Sequence, residues 1–502
     1  MSFTSRANMT VTELHITQWP LTVGLSTLAA VFLGFLAFLS YTPTIHEKSP
    51  KFTSHTSPFI GSFGFGTDPW NFWKGSRDES KTGNFSFWLG SRHIVGVTGE
   101  AARKMFFDHP QMEFVQGQFI RAMGVHFWPP VHDIFKPGFH GGRANTYFLR
   151  RLLELQKTEH LSKYLPRMLT DARLGLRALQ EDPHGITNTS DSFWRTIFTQ
   201  DCRVLCADEM ADSPRLFEGS SDSARTLLHT FTHYNVHFPW LLSPAYLKRR
   251  YARYRLWSNV KAIVEKRMNR NPGSADEPVQ TLINNGDVKD HVIEFFTSLL
   301  FIAPANSSII VGKILSFLAM RTDLQDRIYE EVRSVAEAHS GKGGGSGSSL
   351  VEQLGSIPLE AWESSFPTIG LCLKEAIRMW TAFSMARFND SDKPIPIPGS
   401  DEVVPGNTFV CYNTTEVNFS EKLYPNANYF DPDRFTEGRE EFKRETYGFV
   451  GWGQGRHNCA GMRWAKLQQN IIIAYSLAMY QWKNCDENGQ VITDIVYKRP
   501  RA

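Results

Sequence analysis

Cysteine is scarce in this chain. Six cysteines are spread over 502 residues, at positions 202, 206, 372, 411, 459 and 485, and no two form a CxxC pair. That excludes a disulfide-stapled scaffold and fits a reducing compartment. Cys202 and Cys206 share a helical face, but no partner pair lies near them to complete a metal site. Charge of one sign is lacking too. Lys and Arg number 54 against 51 Asp and Glu, a net of +3, so the basic excess of a nucleic-acid binder is missing. There is no internal repeat, and the one low-complexity run, Gly341–Ser349 (GKGGGSGSS), reads as a flexible surface loop. With 41% hydrophobic and 21% charged residues, global disorder is excluded and a large core is expected.

Long uncharged runs are also rare, with one clear case near the N terminus. Leu21–Tyr41 carries no charge over 21 residues. At 1.5 Å per residue this spans a hydrocarbon core of about 30 Å. Trp19 and Tyr41 bracket it at interfacial positions. A cleaved signal peptide would have a shorter apolar region behind a basic segment. The expected organisation is therefore a short tail (1–20), a transmembrane anchor (21–41), a proline-containing linker (42–60; Pro43, Pro50, Pro58) and one large domain (61–502). Lys48 and Lys51 after the span give a weak positive-inside signal for a cytosolic body.

Within the large domain, helical periodicity outweighs strand alternation, so the fold class is mainly α with a small β region. Asn84–Val97 reads as a β-hairpin turning at Gly90-Ser91. Helices are expected from Tyr147 to Leu205, over Asp290–Met320 and over Gly461–Trp482, with a capping box at Thr322–Gln325. Pro394–Val410 reads as turns and short strands, and Lys248–Arg255 (KRRYARYR) as a solvated helix face.

Chemistry concentrates in Trp452–Gly461 (WGQGRHNCAG). Glycines surround a single cysteine, and an apolar helix follows at once. Cys459 thus stands at a helix N terminus, where free N–H groups and the helix dipole favour a thiolate. Glycines allow left-handed turns and a close backbone approach to a flat ligand. A lone cysteine beside a glycine-rich turn is usually structural. The whole segment, however, resembles the heme-binding loop of cytochrome P450 enzymes, FxxGx(R/H)xCxG. Gly455, His457, Cys459 and Gly461 match, and Trp452 stands for the phenylalanine. Two further segments support the resemblance in the expected order. Lys374–Arg378 contains ExxR, with Glu375 and Arg378 on one helix face. Phe430–Phe435 (FDPDRF) is similar to the family's PxRF segment, which supplies Arg434.

The resemblance implies a cytochrome P450 fold after one transmembrane helix, with heme b (iron protoporphyrin IX) as cofactor. Cys459 is its implied axial ligand, His457 and Arg387 candidate propionate contacts, and Glu375–Arg378–Arg434 a buried structural network. Cys459 thiolate donation would favour O–O cleavage. The implied activity is a monooxygenase inserting one oxygen atom of O2 into a lipophilic small molecule. Electrons would come from NADPH through a separate NADPH–cytochrome P450 reductase, with cytochrome b5 as a further partner. The implied location is the endoplasmic reticulum membrane, and the look of the segment after Cys459 (GMRWAKLQ) is similar to filamentous-fungal enzymes of secondary metabolism.

The central helix departs from the family pattern (A/G)Gx(D/E)T(T/S). Here it reads Ala303-Pro-Ala-Asn-Ser-Ser308, so Asn306 replaces the acid and Ser307 the threonine. Asn306 cannot ionise, and Ser307 keeps the hydroxyl. The alternative reading is a heme-thiolate isomerase or dehydratase that needs no reductase.

Overall fold

The computed structural model describes residues 21–40, 44–54, 56–58, 61–117, 133–136, 146–181, 185–230, 234, 237–238, 241–269, 277–340, 348–381, 384–486 and 488–492. The loop expected over Gly341–Ser349 lies outside these as far as residue 347. Two units are distinct, one ending at His46 and one beginning at Glu47. In the first, Leu21–Ser40 forms the uncharged helix α1. Its 20 residues give a length of about 30 Å.

In the second unit the chain is already part of the body from Lys48 onward. The Lys48 carbonyl accepts from Val403 N–H, and Lys51 and Thr53 bracket Ser86 through backbone bonds. Lys48, Lys51 and Thr53, within the stretch expected as a linker over 42–60, are thus tied to the body by backbone bonds. After α2 (Pro69–Glu79) comes the hairpin of β1 (Phe85–Leu89) and β2 (Arg92–Val97), turning at Gly90 and Ser91. α3 (Glu100–Asp108) and the short β3 (Met112–Glu113) follow. The helical layer is built from α4 (Tyr147–Glu154), α5 (Thr158–Arg177), α6 (Thr189–Leu205), α7 (Pro214–His229), α8 (Pro244–Met268), α9 (Lys289–Leu318), α10 (Thr322–His339) and α11 (Pro367–Trp380). Strands β4 (Ser384–Asn389), β5 (Ile395–Pro396), β6 (Val403–Val404) and β7 (Phe409–Asn413) lead to the last helix, α12 (Met462–Met479). The larger sheet has the order β1-β2-β7-β4-β3, with β2 and β7 parallel and the other pairs antiparallel.

α9 is apolar on nearly every side because α6, α8, α11 and α12 all pack on it. It is long and apolar enough to cross a membrane, yet its apolar residues are mostly buried inside the protein. Its helix runs on through Pro304, whose missing N–H leaves the Leu300 carbonyl without its usual donor.

Two local readings are corrected. Thr322 does not cap α10: Arg321 is the N-cap and makes no side-chain cap bond, while Gln325 donates to the carbonyls of Leu318 and Trp482. A capping box does form at Ser349–Glu352. Nor is Lys248–Arg255 wholly solvated. Arg249 and Arg253 are buried, and Arg253 forms a buried ion pair with Glu294 of α9. Spacing of charges on a helix does not reveal that a carboxylate on the neighbouring helix takes up some of them.

Candidate functional site

Residues 449–461 form a tight loop between the sheet region and α12. Cys459 N–H donates to the Trp452 carbonyl (2.6 Å) and Gly453 N–H to Val450 (3.0 Å). Gly455 has φ of +60°, and a Cβ there would fall 2.5 Å from the Phe107 carbonyl oxygen, so only glycine fits. Gly461 is the N-cap of α12. Of the six cysteines, Cys459 is the exposed one; Cys202, Cys206, Cys372 and Cys411 are buried and Cys485 is half-buried. The Gly461 backbone amide lies beside its thiol. The protein packed round it raises the thiol pKa, and that amide works against the rise. The loop thus offers one sulfur that keeps its proton until a cation takes the proton's place.

Among the described residues no three His, Cys, Asp or Glu side chains gather as metal ligands. Cys459 could hold the metal of a group that brings its other donors, as a porphyrin does. The surroundings fit such a group. Arg387 on β4 is fully buried, ringed by Phe106, Phe107 and Phe114 at 4.8 to 5.9 Å. Its Nη1 donates to the Ala386 carbonyl (3.0 Å), while Nε and Nη2 have no partner among the described residues. Burial pushes its pKa down to about 10. A buried cation with two idle N–H groups calls for an anion, and a heme propionate supplies one. Gly117 lies against this strand so closely that a Cβ would sit 2.4 Å from the Arg387 Cα. His457 stacks on Phe114 (5.3 Å, 18°). Burial, then the charges of Arg387 and Arg456, lower its pKa to about 4, so its ring is neutral at pH 7. The Trp452 indole N–H is also buried and has no partner among the described residues. Cys459, Arg387, His457 and Trp452 therefore form a set suited to heme.

Beneath this loop lie Glu375, Arg378 and Arg434, all essentially inaccessible. Arg378 grips Glu375 with two bonds of 2.7 Å from Nε and Nη2. Arg434 Nε (3.2 Å) and the Asp431 N–H (3.0 Å) reach the same carboxylate. Glu441, which sequence reasoning missed, pairs with Arg434 Nη1 at 3.0 Å. The cluster ties α11 to the segment leading into the cysteine loop. Gly451 packs so tightly on α11 that a Cβ would fall 2.2 Å from Ile377 Cγ2.

On α9, Ile302 and Asn306 are exposed, one turn apart in the mostly buried middle of the helix. Lys313 of the same face sits over the Trp380 ring at the end of α11 (4.1 Å). The Asn306 Nδ2 donates back to the Ile302 carbonyl (3.2 Å). Ser307 is 5% exposed, and its hydroxyl has no hydrogen-bond partner among the described residues. Its carbonyl accepts from Gln469 of α12 (3.1 Å).

Asp201 of α6 carries no motif and was not singled out by sequence. Its buried Oδ1 accepts from Trp464 Nε1 (2.9 Å) and Gln468 Nε2 (3.2 Å), both on α12, and its Oδ2 has no partner. Burial pushes its pKa up to about 7, against the pull of those two bonds. The folded state thus holds this proton more tightly than the unfolded chain does. Its contribution is fully present below about pH 4 and is lost as pH rises through about 7. Asp201→Asn, which keeps the acceptor without the charge, should therefore add roughly 1–3 kcal/mol at pH 8 and nothing at pH 4. Melting temperatures at both pH values check this; an equal change at the two would sink it.

Comparison with known proteins fits this geometry. The cytochrome P450 family profile matches residues 79–496. The cytochrome P450 monooxygenase nsrP of Aspergillus novofumigatus is 57% identical, covering 96% of this chain and 92% of that protein. The cytochrome P450 monooxygenase AacuE of Aspergillus aculeatus is 49% identical, over 94% of this chain and 93% of its own. Among solved structures, retinoic-acid-bound cyanobacterial CYP120A1 matches with a TM-score of 0.67 over 88% of this chain and 94% of that one, at 16% identity. At that identity the likeness concerns the fold alone.

Proposed function

The chain belongs to the cytochrome P450 family, and on that premise we propose a monooxygenase that oxidises a lipophilic small molecule, with Cys459 as the iron ligand. The observation that carries the assignment is Cys459 in a glycine-shaped loop at the start of α12, with Gly455 admitting no side chain and the buried cation of Arg387 close to the loop's His457. Bound heme supplies the chemistry, the activation of O2 with two electrons and two protons. The protein's own residues do the rest. Gly461 stabilises negative charge on Sγ; Arg387, Trp452 and His457 offer N–H groups to the propionates; Glu375, Arg378 and Arg434 fix the loop that holds Cys459. The electrons are assigned to a separate NADPH–cytochrome P450 reductase. The relatives are fungal monooxygenases, and a role in secondary metabolism follows the same line.

Protons are the unusual part. Asn306 has turned its amide back on its own helix and cannot ionise. Among the described residues the Ser307 hydroxyl makes no bond back to a helix carbonyl, and we assign it the role of holding a proton at the reaction site. Turnover with reductase, NADPH and O2 against a panel of lipophilic metabolites tests the activity. Product formed without NADPH would instead favour an isomerase or dehydratase. Ser307→Ala should retain heme and substrate binding but lower product per NADPH by about 10²-fold or more, releasing hydrogen peroxide. An unchanged coupling ratio would remove Ser307 from the relay.

The uncharged α1 supports a single-pass anchor in the endoplasmic reticulum with a cytosolic body. Sequons begin at Asn8, Asn84, Asn188, Asn413 and Asn418. Asn84, Asn413 and Asn418 are buried in the fold, so they report nothing, whereas Asn188 is exposed. Asn8 lies outside the described residues. In a fungal host Asn8 should carry a glycan and Asn188 none; a glycan on Asn188 would reverse the topology.

A further inference from the structure

Between Pro304 and Leu315 the side chains of α9 that are not buried are Asn306, Ile309 and Lys313, and Ile302 precedes them by one turn. Steps of four, three and four residues keep these positions within about 60° of one another round the helix axis, so they form one strip. A strip facing bulk water is charged along its length. This one has two isoleucines, an amide and a single cation, which is the composition of a pocket for a lipophilic molecule with one polar anchor.

Lys313 is the odd member. Its ammonium lies over the Trp380 ring, 4.1 Å from the centroid, at the end of the helix that carries Glu375 and Arg378. Other cations of this core are answered by carboxylates: Arg253 by Glu294, and Arg378 by Glu375. Lys313 has no ion pair among the described residues, and burial is the one cause that lowers its pKa. The ring offsets part of the cost of drawing the ammonium out of water, but it brings no negative charge. A half-buried cation on the wall of a lipophilic pocket is left to find its counter-ion in what the pocket holds.

We propose that Lys313 is a specificity-determining residue: it pairs with an acidic oxygen, that of a carboxylate or an acidic phenol, on the lipophilic substrate. The inference rests on the monooxygenase reading given above. Lys313 stands seven residues beyond Asn306, about 10 Å along the axis. The anion therefore belongs at the far end of an elongated molecule whose other end is oxidised beside Asn306 and Ser307. Lysine offers a compact point charge and not the planar fork of arginine, so one acidic oxygen suffices.

The test uses heme-loaded full-length protein, its loading checked by the red-shifted ferrous–carbonyl band, and a set of imidazole probes. An imidazole nitrogen binds the iron and shifts the main heme absorption, so affinity is read by titration without knowledge of the substrate. The probes are imidazolyl alkanoic acids of graded chain length with their methyl esters, and imidazolyl nitrophenols of matched reach with their methyl ethers. At the length that reaches Lys313, wild type should bind an anionic probe about tenfold or more tighter than its neutral methyl derivative. Whether the acid or the nitrophenol gains more distinguishes the two sources of the oxygen. Lys313→Met keeps the stem and removes the charge; it should erase the preference while binding the neutral probes as wild type does. Lys313→Arg should retain the preference, and Lys313→Gln serves as a second neutral variant should the first fail to load heme. Equal affinity for anionic and neutral probes at every length in wild type, or an anion preference surviving in Lys313→Met, would overturn the proposal. 1-Phenylimidazole run in parallel separates the cases, because no spectral shift with that probe would remove the heme reading itself, whereas a shift with it and no anion preference removes Lys313 alone.

Discussion

Replacing Cys459 by serine should abolish the red-shifted ferrous–carbonyl band completely while leaving the folded body intact. The shift arises from thiolate donation to iron, and a serine hydroxyl holds its proton far too tightly to replace it. Cys202, Cys206 and Cys372 do not offer a substitute. Burial pushes the Cys372 thiol up to about 12 and raises those of Cys202 and Cys206 further. Such thiols are inert toward a metal in water-accessible space. The body should survive because serine is nearly isosteric with cysteine and the loop keeps the backbone bonds from Cys459 N–H to Trp452 and from Gly453 N–H to Val450. The measurements are the carbonyl difference spectrum and the melting temperature of the purified variant. A retained band at wild-type intensity would falsify the assignment of the ligand.

Local chemistry made much of this site legible. A cysteine among glycines before an apolar helix places a sulfur at a helix N terminus. The structure has Gly461 as N-cap and Met462 as the first helical residue. Glu375 and Arg378 at i and i+3 predict contact, and their side chains meet at 2.7 Å. The hairpin was legible because the aromatic run Phe85–Leu89 and the branched run Ile94–Val97 flank a glycine that needs φ of +59°. In each case the partners are close in sequence, so period and spacing carry the information.

What escaped the sequence depends on long-range pairing. Asp201 meets Trp464 and Gln468, Gln156 meets Ala460 and Trp464, and Arg253 meets Glu294, each between elements that periodicity treats as independent. Nothing in a helical pattern marks one buried polar residue as the partner of another some 260 or 300 residues on. The Thr322 capping box failed for a related reason. Gln325, which would have closed it, is recruited by the Leu318 and Trp482 carbonyls, two acceptors fixed by tertiary packing. Arg387 shows the intermediate case. Its position downstream of the ExxR helix suggested a heme contact, but only its burial among three phenylalanines with two idle N–H groups gives that suggestion a physical reason.

Glu375→Ala should cost about 3–5 kcal/mol, because it strands a buried cation. Set against a typical domain stability of about 5–15 kcal/mol, that is enough to prevent stable heme incorporation. The bonds rank the network's members. Arg378 has its two strongest contacts to Glu375 and otherwise reaches only the Asn418 carbonyl and the faces of Phe419 and Tyr424. Losing Glu375 leaves it without a carboxylate. Arg434 is better insured: it keeps Glu441 and the carbonyls of Pro425 and Asn426. Conversely, Arg434→Ala leaves Glu375 paired with Arg378 and Glu441 paired with Arg439 at 2.7 Å. The expected order of damage is therefore Glu375→Ala and Arg378→Ala together, then Arg434→Ala. Glu375→Gln, which keeps the shape but not the charge, should fall between the first group and wild type. Heme content per polypeptide and melting temperature measure the series. A wild-type melting temperature in Glu375→Ala, or greater damage from Arg434→Ala, would show that the carboxylate is not the centre on which the two arginines depend.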